Sequence, residues 1–178
     1  MAKPRPDAQT FFERAEWFHF TSLFLLTQPQ NMAFIYSFPH IILKAFATEA
    51  YLKSLILIEG NTAPNIHHLL SLFDKLTPES QHAIRRLWDK ECGSQLKKMR
   101  SVDTKGLKVP RTLREALNQS SDAFLEWRYS GPGAMPAFTI MSFPLWVRVR
   151  ILELEPDWKP DWPNPLAWLN SEPEVHSG

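Results

Sequence analysis

The sequence predicts an all-α protein: a single helical bundle of about five to six helices with an extended Pro/Trp-rich C-terminal arm. Three observations carry this. Long stretches keep their apolar residues at helical spacing. Gly is scarce (6) and Pro plentiful (15), which favours helices with firm stops over a turn-rich sheet. A chain of 178 residues, 44% apolar and 22% charged, can bury one sizeable core. The expected division is a bundle over residues 1–155 and a tail over 156–178.

The first helix is expected from Ala8 to Leu26, with Phe11, Phe12, Ala15, Phe18, Ser22 and Leu25 on one face, before TQPQN breaks it. A second helix over Phe34–Glu59 is apolar almost all round and fit for the centre of a bundle. Its entry is placed near Ser37, with Pro39 in the first turn, where a missing amide is harmless. Gly60 is a natural residue to follow its last turn. Ile66, Leu69, Leu70, Phe73 and Leu76 mark a third helix of about three turns. Thr77 and Pro78 then read as cap and first residue of a fourth helix. Its inner face is Ile84, Leu87 and Trp88, and Gly93 ends it. Residues 94–110 are polar and basic and are expected to form a loop.

Thr112 can cap a fifth helix, with Leu113, Ala116, Leu117, Ser120, Phe124 and Trp127 along one face, and SGPGAMP breaks the chain after it. The run FPLWVRVRILELEP is ambiguous. Val147, Val149 and Ile151 alternate with Arg148 and Arg150 like a strand, while Leu145, Val149 and Leu152 fit a helix face. From Pro156 onward, prolines interleave with Trp158, Trp162 and Trp168, and no regular element is expected before Pro165.

No continuous apolar stretch of about 20 residues exists to span a membrane. Trp17–Leu43 lacks charged residues, but Gln28, Pro29, Gln30, Asn31 and Pro39 interrupt it. The N-terminus has no apolar core of a secretory signal. Cys92 is the single cysteine, so no intramolecular disulfide can form, and a reducing, cytoplasmic location fits.

Familiar catalytic motifs are missing. There is no HExxH, no Gly-rich phosphate loop and no GxSxG. His67 and His68 are adjacent, so on a helix they point about 100° apart and share one metal poorly; one of them instead suits the start of the third helix. No metal and no cofactor is expected.

Charge is more informative than motif. Residues 85–114 hold ten Lys and Arg against three Asp and Glu, half of the chain's basic residues, whereas residues 115–178 hold four against nine. Arg85, Arg86, Lys97, Lys98, Arg100, Lys105, Lys108 and Arg111 form a candidate basic patch for nucleic-acid phosphates. The same cations also suit a solvated helix face, or a surface matched to the acidic C-terminal third.

In AFATEAYLKSLILIEG (45–60), Glu49 and Lys53 stand four residues apart inside the most apolar helix. A carboxylate buried there must find a partner. Arg128, in AFLEWRYS, is the expected one, because a guanidinium meets a carboxylate at two points and Lys cannot. Glu49, Lys53, Arg128, His67 and His68 are the candidate polar groove.

Taken in order, AFATEAYLKSLILIEG, NIHHLLSLFDKLTPE and AFLEWRYS resemble the HEPN superfamily of small helical-bundle domains, over roughly residues 33–130. The ending ILELEPDWKP resembles the last helix of such proteins and favours helix for the ambiguous segment. The resemblance implies an all-α fold, often dimeric. Many members are metal-independent ribonucleases of toxin–antitoxin or phage-defence systems, and others bind RNA or protein partners without catalysis. The ribonucleases carry Arg, four to six residues, then His, late in the domain. Here Arg128 has no His after it until His176, and Arg14 and His19 have that spacing but lie in the first helix. The expectation is therefore a binding module for RNA, a nucleotide or a protein partner such as a nucleotidyltransferase or antitoxin, as a homodimer. The alternatives are a divergent ribonuclease, using Arg128 with His67 or His68 or using Arg14 and His19, and a purely structural oligomerisation module.

Overall fold

The structure, a computed structural model, describes residues 6–28, 33–100, 110–121 and 140–159, and for 33–34 and 93–100 the backbone alone. The described residues form an all-α bundle: α1 (Ala8–Leu25), α2 (Ala33–Ile58), α3 (Leu69–Phe73), α4 (Pro78–Arg100), α5 (Leu113–Ser121) and α6 (Phe143–Leu154), followed by a 3-10 turn at Pro156–Trp158. No described helix is long and apolar enough to cross a membrane.

The helix α2 is the axis, packed by α1, α3 and α6. Its residues Tyr51 to Ile56 are all buried, as its nearly uniform apolarity requires. Small buried residues, Ala15 on α1 and Ala47 and Ala50 on α2, leave room for close helix approach, and Phe18 stacks on Phe46 with centroids 5.2 Å apart. Trp146 of α6 meets Trp88 of α4 edge to face at 5.9 Å, and Phe143 meets Phe73 of α3 in the same way at 6.1 Å.

Polar punctuation fixes the helix ends. Asp7 caps α1 by accepting from the Thr10 amide at 2.7 Å, a bond that holds its carboxyl below the usual range. Gly60 has φ of 78°, the left-handed conformation that terminates α2. Thr77 accepts from the Ser80 amide at the start of α4, and Thr112 accepts from the Glu115 amide at the start of α5.

Several elements differ from the sequence-based expectation. The helix α2 begins at Ala33, so Pro39 lies inside it rather than in its first turn. Pro39 and Ile35, whose carbonyl loses the missing amide bond, are both exposed, where water can replace that bond. The third helix is five residues, not three turns, because His68 is extended (ψ 111°) and caps it. Gly93 does not end α4, and the expected basic loop is helical as far as Arg100. An interior Gly costs roughly 1 kcal/mol relative to Ala. The good helix formers Gln95, Leu96, Lys97, Lys98, Met99 and Arg100 that follow it outweigh that.

The ambiguous segment is the helix α6: Phe143, Trp146, Val147 and Ile151 are buried, while Val149, which a strand would have buried beside them, is exposed. Beyond it, a 3-10 turn stands at the start of the expected irregular arm, and Trp158 packs on Phe12 at 5.6 Å; the rest of the arm, with Trp162 and Trp168, lies outside the described residues. Phe124 and Trp127 lie outside the described residues.

Candidate functional site

The sequence singled out Glu49 as a buried acid awaiting a guanidinium. The Glu49 side chain keeps 15% of its surface exposed, and its partners among the described residues are local: Lys53 Nζ donates to it at 2.8 Å and His67 Nδ1 lies 3.0 Å from both carboxylate oxygens. A carboxylate only accepts, so His67 Nδ1 carries the proton. Lys53 is the more buried member and lines an opening of about 290 Å³ with Phe11, Leu57 and Asn65. His68 does not join this group; its Nδ1 lies 3.0 Å from the Ser71 hydroxyl and accepts from the Ser71 amide. Arg128 lies outside the described residues.

Among the described residues, a guanidinium–carboxylate pair joins α1 to α6. Glu16 of α1 is 1% exposed. It accepts from Arg148 Nε at 2.6 Å, from a second Arg148 nitrogen at 3.2 Å, and from the Tyr51 hydroxyl. Three helices, α1, α2 and α6, thus meet on one carboxylate. Burial, and then the Glu16 charge, raise the Tyr51 hydroxyl well above its ordinary pKa. Burial alone would lower Arg148, but its bond to Glu16 and that negative charge raise it instead. Tyr51 therefore stays a protonated donor and Arg148 a fixed cation: a joint, not a nucleophile.

Further along the α1–α2 seam the polar residues are less well matched. His40 Nδ1 donates to the Ser22 carbonyl at 2.6 Å, and burial lowers the His40 pKa. His19 rests edge-on against Tyr51, and its Nδ1 is buried without a partner among the described residues. Burial first, then Lys44, Arg148 and His40, push its pKa down to about 3, so it is neutral at neutral pH. Lys44 is buried, and its ammonium is lowered by burial to about 8. Arg14 is exposed while His19 is buried, and an offset of five helical positions sets them about 140° apart. The spacing that suggested a ribonuclease pair does not bring the two together.

Sequence reasoning missed the Glu16 joint. The available signal was a charged residue on the buried stripe Phe12, Ala15, His19 and Ser22. A charge there must be paired, but only the packing of α6 names the partner.

The basic patch gains a geometry. Arg85, Arg86 and Lys90 are exposed on α4, opposite the buried Ile84 and Trp88. Because the helix runs unbroken through Gly93, positions 86, 90, 93, 97 and 100 recur at steps of four and three, one stripe about 21 Å long. Four of the five are basic, and position 98 falls off that stripe. Arg111 is exposed just before α5; Lys105 and Lys108 lie outside the described residues. No group of His, Cys, Asp and Glu suited to a metal occurs among the described residues. No protein-family model, no curated protein and no solved structure matches this chain.

Proposed function

We propose that this chain is a helical RNA-binding module whose contact surface is the basic stripe of α4. The observation that carries it is the continuity of that helix: Arg86, Lys90, Lys97 and Arg100, dispersed if residues 94–110 were a loop, share one stripe when they are helical. A linear array of cations suits a phosphate backbone and gains affinity by releasing counterions. The all-α bundle agrees with the HEPN resemblance, whose non-catalytic members bind RNA or proteins. Binding is favoured over cleavage because the two residues with ribonuclease spacing, Arg14 and His19, face apart, and His19 is buried.

The test is anisotropy of a labelled single-stranded RNA of about 20 nucleotides over a salt series. The native chain binds with a log K against log salt slope near −3, from about four phosphate contacts at roughly 0.7 each. Arg86→Glu with Lys90→Glu weakens binding at least about tenfold and flattens the slope by about 1.4. Unchanged binding in that variant, or none by the native chain at about 50 mM salt, removes the proposal. Loss of RNA integrity without metal would instead establish a nuclease.

A further inference from the structure

We infer that the groove between α1 and the 3-10 turn is a binding site for an organic cation, one with a methylated ammonium or guanidinium head. The groove encloses about 430 Å³, within the size range of small-ligand sites. Its walls are aromatic. Phe12 and Trp158 pack against each other at 5.6 Å, and Trp17, 54% exposed, also lines the groove. A large indole left half in water beside a concavity offers its π face to a cation.

The polar groups have the matching sign. Glu13 on α1 and Asp157 on the turn are exposed and line the groove from its two sides. Glu13 accepts from Gln9 Nε2 through one oxygen at 3.2 Å, and its other oxygen has no partner among the described residues; nor does the Asp157 carboxylate. Glu16, at the back, is already matched by Arg148 and Tyr51 and adds no net charge. Among the described residues Lys159 is the one cation of the lining, against the two open carboxylates. An apolar ligand would leave both carboxylates partly desolvated, and an anion would meet them directly. An organic cation satisfies the aromatic faces and the acids together.

The site is apart from the basic stripe of α4 and independent of the RNA-binding proposal. The probes are choline and its uncharged carbon isostere, 3,3-dimethyl-1-butanol, titrated into the full chain by calorimetry and by the indole ¹⁵N–H resonances in NMR. Arginine amide and a short Arg- and Lys-containing peptide distinguish a small-molecule ligand from a side chain of a basic partner. Choline binds saturably and shifts two indole signals, those lost in Trp17→Ala and Trp158→Ala. The isostere binds at least about fivefold more weakly. Glu13→Gln with Asp157→Asn, both exposed and so without effect on folding, weakens choline by a similar factor while the indole spectrum stays native. Peptide binding tighter than choline and arginine amide assigns the groove to a basic protein segment. Equal binding of choline and the isostere, or no saturable binding of any cation, overturns the assignment.

Discussion

Arg148 meets Glu16 at two points across a sequence separation of 132 residues, closing α6 onto α1 with Tyr51 of α2 as a third participant. Glu16 is nearly inaccessible, whereas the Arg148 side chain keeps 18% of its surface exposed. The pair is asymmetric: the acid has no route to water if its partner is removed, and the guanidinium has one.

Arg148→Met therefore strands a buried carboxylate and should destabilise the fold by about 3–5 kcal/mol. Adding Glu16→Gln to that variant should restore part of the loss. Urea unfolding of the two single variants and the double variant measures the coupling. Strictly additive losses would show that the two side chains do not act as a pair.

Lys44 is a liability of the α1–α2 seam. Its ammonium has a folded pKa of about 8 against 10.5 for the free group. Between those values the unfolded chain holds the proton more tightly, so stability rises with pH through this window and the burial cost is fully present below it. Lys44→Met should stabilise the protein at neutral pH by on the order of 2–3 kcal/mol and abolish the rise. Denaturant midpoints across pH 8–10 check both, and a destabilised Lys44→Met shows that the ammonium has a partner worth keeping.

His19 sets a sensitivity on the acid side. With its pKa pushed down to about 3 from 6.5, the folded chain takes up that proton later than the unfolded one. Its contribution is intact above 6.5 and is lost as pH falls from 6.5 towards 3. Thermal midpoints should decline over that range, and His19→Leu, which also removes the orphaned Nδ1, should decline less steeply. Identical pH profiles for the two proteins would place the acid-sensitive group elsewhere.

The junction of α2 and α4 rests on one acid. Glu59 accepts from both the amide and the hydroxyl of Thr77, each at 2.8 Å, tying the end of the central helix to the cap of α4. Glu59→Ala leaves the Thr77 amide to water and should cost about 1–2 kcal/mol. Amides in the first turn of α4 should exchange faster, while those of α6 should not change. Uniform acceleration across the bundle would mean a global loss rather than an opened joint.

Helix caps and the inner faces of α4 and α5 were legible from the chain alone, whereas Leu145 and Val149 of the face expected for α6 are exposed and Phe143, Trp146, Val147 and Ile151 are buried instead. Thr77, Thr112 and Gly60 act where local chemistry put them, because a cap depends on residues within one turn. The inner positions Ile84, Trp88, Leu113, Ala116 and Leu117 are buried as their period required. Gly93 and Pro39 were read too strictly: an interior Gly costs only about 1 kcal/mol, and the larger cost of Pro39, about 3 kcal/mol, is eased because Pro39 and Ile35 face water. The candidate groove was half legible: Glu49, Lys53 and His67 do meet, but His68 turned to its own helix end.

By itself, the sequence determined that this protein is helical, where α1, α4 and α5 begin and where α1 and α2 end, and that half of its cations fall within thirty residues. Tertiary structure alone decided that Glu16, not Glu49, is the sealed carboxylate, that Arg148 answers it, and that Trp17 and Trp158 flank one groove. Periodicity and capping are interactions over one to four residues and are written locally. The partner of a buried charge is fixed by which distant helix packs beside it, and that choice belongs to the whole core.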